Sequence, residues 1–460
     1  MMKNKHKRFY FVLFATLAFT FISCDQSAGS GSQTDPYTGP RWIGNWGVTG
    51  GAEGLTIIQY YGQPSQALTI PAQLEGIPVV AIGNFALRNS SLVSLTIPDS
   101  VIRIGRDAFE RNQLASVTFQ GNNLTVIGAF AFAGNYLQNI VIPDSVTDIQ
   151  TGAFMGNKLE HVDIPGSVTV IDTAVFYNNL LASVTIPYGV TDIRGMAFEN
   201  NLLEAVTIPD SVISIGNDAF KANRLTGVTL PANIVYLSGF SANQITKVTI
   251  PGSVTTIGHG AFAGNLLANI DIPDSVTVIR RDAFFNNQLT NVIIPDGVNY
   301  LSGFSRNQLT NIDIPGSVTV IGGAAFAGNK LTGVLIPDSV AEIGSQAFSN
   351  NQLTSVVIPN SVTVIDPFAF SRNELTSVSI SSNVSELHGV FRQNKLYNVT
   401  IPAGITLMNG AFMDNPLDSV TFEGNVTIRS PGNFPGDLHA VFGGSAATYD
   451  FDGITWSRRP

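Results

Sequence analysis

The sequence predicts a repeat solenoid, a mostly β fold in which short parallel strands stack one per coil of about 22 residues. One block recurs along most of the 460 residues, Gly and Pro are abundant at 44 and 23 residues, and charged residues make up only 12%. A chain of this length would ordinarily suggest about three globular domains. An internally periodic chain instead grows in one dimension, because each repeat packs only against its neighbours.

The first 23 residues (1–23) are predicted to be a lipoprotein signal peptide. A basic stretch at 3–8 precedes an apolar run at 9–21, which is too short to span a bilayer because that takes about 20 residues. The only cysteine, Cys24, follows Phe-Ile-Ser, and this tetrapeptide resembles a bacterial lipobox. Cys24 is therefore the predicted lipidation site, and the alternative is a chance cysteine beside an ordinary cleavage site.

Two segments lie between the signal peptide and the regular repeats. Residues 24–40 are rich in Ser, Gly, Gln and Thr and are predicted to be a flexible tether. Residues 41–90 are predicted to form an N-terminal cap and a first degenerate coil, in which Leu87 and Ser90 take the places of a recurring Phe and Asn. The cap region has an irregular β pattern suited to covering the first open strand edge, with the aromatic residues Trp42, Trp46, Tyr60 and Tyr61.

Residues 91–424 are predicted to be the repeat array, built on the block Phe-x-x-Asn-x-Leu-x-x-Val-x-Ile-Pro. Three residues after each Phe stands an Asn, from Asn112 to Asn415. Such regularity excludes chance. Fifteen coils carry the full register, with Pro usually following, and their Phe residues are Phe109, Phe132, Phe154, Phe176, Phe198, Phe220, Phe240, Phe262, Phe284, Phe304, Phe326, Phe348, Phe370, Phe391 and Phe412.

The spacing within one coil predicts the conformation of each part. In Val-x-Ile the two apolar residues are two apart, so both point to one face of a short strand that the following Pro ends. In the next stretch, Ser-Val-Thr-x-Ile-Gly, the apolar residues are three apart. We interpret this stretch as a turn and a short extended segment, followed by at most one helical or 3₁₀ turn around Ala-Phe.

Stacking of coils is predicted to form internal columns of Phe and of Asn. A single coil buries no core alone, whereas neighbouring coils bury a continuous one. The Asn amide could satisfy the backbone of its own turn and of the next coil. The alternative is that Asn only tolerates a left-handed turn conformation.

From Pro to Pro most coils have 22 residues, and two shorter coils show which side tolerates change. The intervals between Pro231 and Pro251 and between Pro295 and Pro315 are 20 residues, and both short coils read Tyr-Leu-Ser-Gly-Phe-Ser. Both lack residues just before Phe, so the variable side is the back of the coil. Residues 425–460 are predicted to be a C-terminal cap that ends in a hairpin with an Asp-Gly turn.

The run Leu-Thr-x-Val-x-Ile-Pro-Asp-Ser-Val-Thr-x-Ile-Gly-x-x-Ala-Phe, best seen at 331–348, resembles the BspA-type leucine-rich repeat. The resemblance covers about 55–422. It implies a leucine-rich-repeat fold and a surface lipoprotein like those of oral anaerobes and spirochaetes, exported and lipid-anchored at the bacterial outer membrane or cell surface. It also implies adhesion, with host extracellular-matrix proteins such as fibronectin or other cells as partners. No binding residues transfer with it.

The sequence offers little chemistry, so we expect no enzyme, no metal site and no cofactor. The four histidines beyond the signal peptide fall in different slots of distant coils, and no Ser-His-Asp set or paired carboxylates appear. Asp residues after Pro are interpreted as turn residues that bond backbone amides. Nucleic acid is an unlikely partner because the net charge is −9 and phosphate contacts need Lys and Arg.

The outward slots of the strand are mostly Thr, Ser and Asn, as at Thr185, Thr207, Thr229 and Thr249. One coil differs from this pattern because it carries Glu160, His161 and Asp163. Four successive coils also differ, and they carry the predicted ligand-binding residues Ile293, Asp313, Leu335 and Val357. These form a candidate contact patch, and the alternative is ordinary β propensity on an exposed strand.

The leading functional hypothesis is a non-catalytic, adhesin-like surface binding protein. A passive structural coat or spacer is the second. A polysaccharide-acting β-solenoid enzyme is disfavoured, because that activity needs clustered charged residues on adjacent coils.

Overall fold

The computed structural model describes residues 39–62, 67–429, 432–434, 438 and 443–459. The signal peptide predicted at 1–23, the predicted lipidation site Cys24 and residues 25–38 of the predicted tether lie outside the described residues. The described residues belong to one compact unit. It is a parallel-strand solenoid of about 17 turns, which confirms the predicted fold class.

The strands are short throughout and are numbered in chain order. They are β1 (Arg41–Ile43), β2 (Trp46–Gly51), β3 (Gly54–Tyr60), β4 (Ala67–Thr69), β5 (Gln73–Leu74), β6 (Ile77–Ile82), β7 (Ser94–Ile97), β8 (Arg103–Ile104), β9 (Ser116–Phe119), β10 (Val126–Ile127), β11 (Asp148–Ile149), β12 (Val170–Ile171), β13 (Asp192–Ile193), β14 (Ala205–Thr207), β15 (Ser214–Ile215), β16 (Gly227–Thr229), β17 (Tyr236–Leu237), β18 (Thr256–Ile257), β19 (Val278–Ile279), β20 (Tyr300–Leu301), β21 (Val320–Ile321), β22 (Glu342–Ile343), β23 (Ser355–Val357), β24 (Val364–Ile365), β25 (Ser377–Ser379), β26 (Glu386–His388), β27 (Asn398–Ile401), β28 (Thr406–Met408), β29 (Ser419–Phe422), β30 (Thr427–Ile428), β31 (Ala447–Phe451) and β32 (Trp456–Arg458).

Each coil has three parts, which we name from the coil at 331–351. The front segment is the Leu-x-x-Val-x-Ile stretch at 331–336, the side segment is the stretch after Pro at 339–343, and the back turns run from 344 to the Asn at 351. In the front segment, Val and Ile side chains point inward and the residue between them points outward, as the spacing predicted. Val292 and Ile294 are buried and Ile293 is exposed.

The side segments form the more regular ladder of parallel strands. Paired side strands show no slip, as in Val278 with Tyr300 and Ile279 with Leu301. The ladder is interrupted between β11 and β12, between β15 and β17, and between β24 and β26. The front segments, where the sequence predicted the strand of every coil, form paired strands only in β4–β7–β9, β14–β16, β23–β25 and β27–β29. Single bridges add Val141 to Asp163 and Gly227 to Lys247. The array therefore contains two ladders, and the side ladder is more extensive than the front ladder that the sequence predicted.

The back turns contain tight turns, and no helical residue is present in 67–429. Two backbone positions per coil have positive φ, such as Asp107 at 55° and Arg111 at 55°. Alternate N–H groups then donate to carbonyls of the following coil, as Asp107 does to Ala129 and Phe109 does to Ala131. Because alternate N–H groups bond to the following coil, a 3₁₀ helix does not form in the back turns. Among the residues described, no helix is long and apolar enough to cross a membrane.

The predicted Phe column is present and continuous. The rings from Phe109 to Phe412 stack coil on coil, with centroids 5.2 to 6.0 Å apart and interplanar angles of 2° to 19°. The rings are buried, so each contributes about 2–3 kcal/mol of hydrophobic stabilisation. Phe434, which sequence reasoning did not place in the column, extends it at 5.6 Å from Phe412.

The Asn column also forms, and its amides join adjacent coils. Asn201 accepts a hydrogen bond from the Leu181 N–H at 3.1 Å and donates to the carbonyls of Phe176 and Phe198 at 2.9 and 3.1 Å. The bonded neighbour is the preceding coil, not the next one as predicted. The left-handed alternative is wrong, because the positive φ belongs to the residue before, Asn200 at 59°.

Hydroxyl groups of the Ser-Val-Thr stretch add a second set of bonds between coils. The Ser275 Oγ donates to the Val254 carbonyl at 2.7 Å, and the Thr277 Oγ1 donates to the Thr255 carbonyl at 3.3 Å. The Asp residues after Pro act similarly: an Asp210 carboxylate oxygen accepts from the backbone N–H of Ala232 in the next coil at 2.8 Å. The recurrence of these polar residues therefore has a structural cause.

The two short coils keep both columns and the side ladder. Tyr236 pairs with Thr256, and Phe240 lies 5.4 Å from Phe220. The missing residues come from the back turns, as predicted. Gly239, at φ 103°, closes the shortened turn in a conformation that favours glycine.

The two ends are closed by antiparallel strands on different ladders. At the N-terminal end β1, β2 and β3 form an antiparallel sheet, and β3 pairs parallel with β6, which leads into the side ladder through β8. At the C-terminal end the predicted hairpin forms: β31 pairs antiparallel with β32 and with β29 of the front ladder. Each end therefore covers one ladder.

Candidate functional site: the front face of the array

The front face is the surface made by the outward residues of successive front segments. Ile293, Leu335 and Val357 occupy the same outward slot and are 79%, 81% and 64% exposed. Asp313, in that slot one coil after Ile293, is also exposed. Large apolar side chains at this exposure bury little surface within the chain, so packing inside the solenoid does not explain them.

The structure brings the four predicted residues into consecutive coils. The front segments that carry Ile293, Asp313, Leu335 and Val357 lead into β20, β21, β22 and β24. Those side strands pair in this order without interruption. The four residues therefore form one row along the solenoid.

Sequence reasoning missed the acidic residues around this row. Asp271 occupies the same slot one coil before Ile293, and Asp274, Asp296 and Asp338 follow the Pro of their coils; all four are exposed. The signal was available, because aligning the coils by slot shows Asp271 beside Ile293. The acids after Pro were interpreted only as turn residues, so the sequence prediction did not place them beside the row.

Elsewhere the front face is mostly small and polar, apart from the exposed Val141 and the charged coil at 160–163. Thr185, Thr207, Thr229 and Thr249 are exposed, as predicted. An open trough of about 700 Å³ crosses this part, and its lining includes Gly227 and Lys247 but no carboxylate. A trough of this composition lacks the paired acids that glycoside hydrolysis uses.

Titratable groups with shifted pKa lie away from the patch. Burial raises the pKa of Glu199 on the back turns, against the lowering effect of Lys221 at 3.3 Å. In the terminal hairpin, a hydrogen bond from Arg459 lowers the pKa of Asp450. Within the described part of the chain, no three His, Cys, Asp or Glu residues are grouped so that they could hold a metal ion.

Comparison with known proteins identifies the repeat. A family model described as the BspA type leucine rich repeat region (6 copies) matches residues 80–204, 191–303 and 300–418. These three matches cover most of the chain. No functionally curated protein matches it.

Solved structures share the architecture. A leucine rich cell surface protein from Faecalibacterium prausnitzii is 30% identical, with 71% of this chain and 94% of that one covered at a TM-score of 0.53. A leucine-rich repeat protein from Bacteroides ovatus is 20% identical, with 79% of this chain and 95% of that one covered at a TM-score of 0.50. YopM from Yersinia enterocolitica is 18% identical, with 79% of this chain and 81% of that one covered at a TM-score of 0.54. This is a likeness of fold alone. The chain belongs to the BspA-type leucine-rich repeat family.

Proposed function

We propose that this protein is a non-catalytic, adhesin-like binding protein exposed on a bacterial surface. Members of repeat families of this kind present extended surfaces to protein partners. The Faecalibacterium neighbour is described as a cell surface protein, which supports the proposed location. The lipobox-like sequence before Cys24 supports export and lipid anchoring at the outer membrane or cell surface.

The observation that favours binding over a passive coat is the exposed row of Ile293, Asp313, Leu335 and Val357. A coat or spacer protein gains nothing from three large apolar side chains in solvent, because such patches promote association. Elsewhere this slot is mostly Thr, and the exposed Val141 has no apolar residue in the same slot of the adjacent coils. The proposed partners are host extracellular-matrix proteins or proteins of other cell surfaces.

The experiment compares the wild-type chain with the triple variant Ile293→Ser, Leu335→Ser, Val357→Ser in binding to immobilised matrix proteins and to intact cells. The matched control is Val141→Ser, since Val141 has the same slot and is 83% exposed but lies outside the row. We expect the triple variant to lose at least about tenfold in affinity, as removal of a hydrophobic interface centre does, and the control to bind normally. If the wild-type chain binds no matrix protein or cell, or the triple variant binds normally, the passive coat is favoured.

A further inference from the structure

We infer that the front-face row binds a cationic amphipathic helix of a partner protein, laid along the solenoid axis. We call the row of Asp271, Ile293, Asp313, Leu335 and Val357 the docking strip. This inference rests on the proposed binding function and specifies the chemistry of the partner. Its support comes from three properties of the strip: exposed apolar side chains, uniform negative charge and coil spacing.

The apolar residues of the docking strip supply the contact surface. Ile293, Leu335 and Val357 point outward from three of five consecutive coils, between inward residues that are buried or partly buried. A helix that covered them would remove large aliphatic side chains from water, which is the main favourable contribution in helix recognition by apolar surfaces.

The negative charge of the docking strip favours a partner with positive charge. Asp271 and Asp313 alternate with the apolar residues, and the exposed Asp274, Asp296 and Asp338 lie beside the strip. None of these eight positions is Lys or Arg. The lysine of these coils, Lys330, lies at the start of its front segment, with its Nζ 3.4 Å from the Gln308 side-chain oxygen. A partner with Lys or Arg is attracted to this surface and an acidic one is repelled.

The coil spacing selects a helix over an extended strand. Paired front strands such as β23 and β25 lie about 4.8 Å apart, and ring centroids of the Phe column in the core, from Phe262 to Phe370, are 5.2 to 6.0 Å apart. A helix repeats about every 5.4 Å along its axis. Same-face residues of a strand repeat about every 6.7 Å. Over five coils a helix therefore stays within about half a coil of the strip, whereas a strand drifts by about one coil or more.

This register defines the pattern that the partner helix must carry. Residues at i, i+4, i+7, i+11 and i+14 fall on one face, one per turn. To match the strip, the partner residues at i and i+7 are cationic and those at i+4, i+11 and i+14 are apolar. If the helix runs in the opposite direction, the same order is reversed.

The test uses the full chain and fluorescent synthetic helical peptides that carry this pattern in each of its two directions, measured by anisotropy. Controls are a scrambled peptide of the same composition and a charge-reversed peptide with Glu for Lys. We expect one patterned peptide to bind at least about tenfold more tightly than either control. Binding should weaken as ionic strength rises, because exposed charges are screened.

Variants of the protein locate the site. Asp271→Asn with Asp313→Asn, and separately Ile293→Ser with Leu335→Ser, should each weaken peptide binding about tenfold. Val141→Ser should leave it unchanged. Circular dichroism and thermal unfolding of each variant verify that it is folded, which is expected because all these side chains are exposed.

Three outcomes would overturn the inference: equal binding of patterned and scrambled peptides, undiminished binding by the strip variants, or no peptide binding. If the peptides fail while the chain still binds matrix proteins or cells through Ile293, Leu335 and Val357, the helix partner is wrong and the proposed function stands. If both kinds of binding fail, the proposed function fails as well.

Discussion

At the scale of single residues, the buried Asn of each coil fixes how one coil meets the previous one. Its amide accepts from one backbone N–H and donates to two carbonyls, and these groups belong to two coils. They are buried, so water does not replace the amide if it is removed. A buried polar group left unpaired costs about 1–3 kcal/mol. Removal of one Asn is therefore expected to cost about as much stability as the burial of one ring contributes.

Asn201→Ala is expected to lower the free energy of unfolding by about 2–4 kcal/mol, because it leaves a buried N–H and two carbonyls without a partner. Denaturant unfolding followed by circular dichroism measures the change. Asn201→Asp should also destabilise, since a carboxylate accepts but does not donate. The control is Asn291→Ala, an exposed front-face residue, and an equal loss for Asn291 and Asn201 would contradict this role.

At the scale of the element, the back turns require left-handed residues twice per coil. The position two before Phe is Gly152 at φ 63° and Gly260 at 58°, but Ala324 at 53°. A side chain in this conformation costs roughly 1–2 kcal/mol, and glycine avoids that cost. The sequence alternates between Gly and other residues here because the inter-coil hydrogen bonds hold the turn in either case.

Ala324→Gly is therefore expected to raise the free energy of unfolding by about 0.5–1 kcal/mol, after the greater entropy of glycine in the unfolded chain is deducted. The matched control is its neighbour Ala325→Gly, which is buried and lacks positive φ. That change should destabilise by about 1 kcal/mol or more, because it removes a packed methyl group. Thermal unfolding distinguishes the two, and a stability loss in both would argue against strain at Ala324.

At the scale of the whole molecule, the two ends protect different ladders. The N-terminal antiparallel sheet extends the side ladder, and the C-terminal hairpin extends the front ladder. An uncovered strand edge pairs readily with another chain. Since each end covers a different ladder, two molecules placed end to end do not present matching free edges, which opposes uncontrolled stacking into fibres.

Removal of 443–460 is expected to cause concentration-dependent self-association, because it uncovers β29 and the ring of Phe422, which contacts Tyr449 at 6.0 Å. Light scattering after size-exclusion chromatography measures this. A chain cut after Arg458, which keeps both hairpin strands, is the control and should remain unassociated. A shortened chain that stays as dispersed as the control would show that the hairpin is not the protective element.

The candidate site was predictable only in part from the sequence. The slot pattern placed Ile293, Asp313, Leu335 and Val357 on the outside, because outward and inward positions alternate in an extended segment. The role of Asp271 and of the acids after Pro depended on seeing them exposed beside that row. The slot pattern also places Asp271 on the outside, whereas the alternation within an extended segment says nothing about the exposure of the turn residues Asp274, Asp296 and Asp338.

By itself the sequence determined the coil length, the inward columns of Phe and Asn, the tolerant back side and the hairpin after β29. These follow from spacing along one chain, which fixes which side chains face the core. The tertiary structure decided which ladder is more extensive, that each Asn bonds the preceding coil, and which edge each end covers. Each of these features depends on which coil supplies the backbone group that forms a bond. Every coil carries nearly the same backbone groups, so only their positions in space show which coil is the partner.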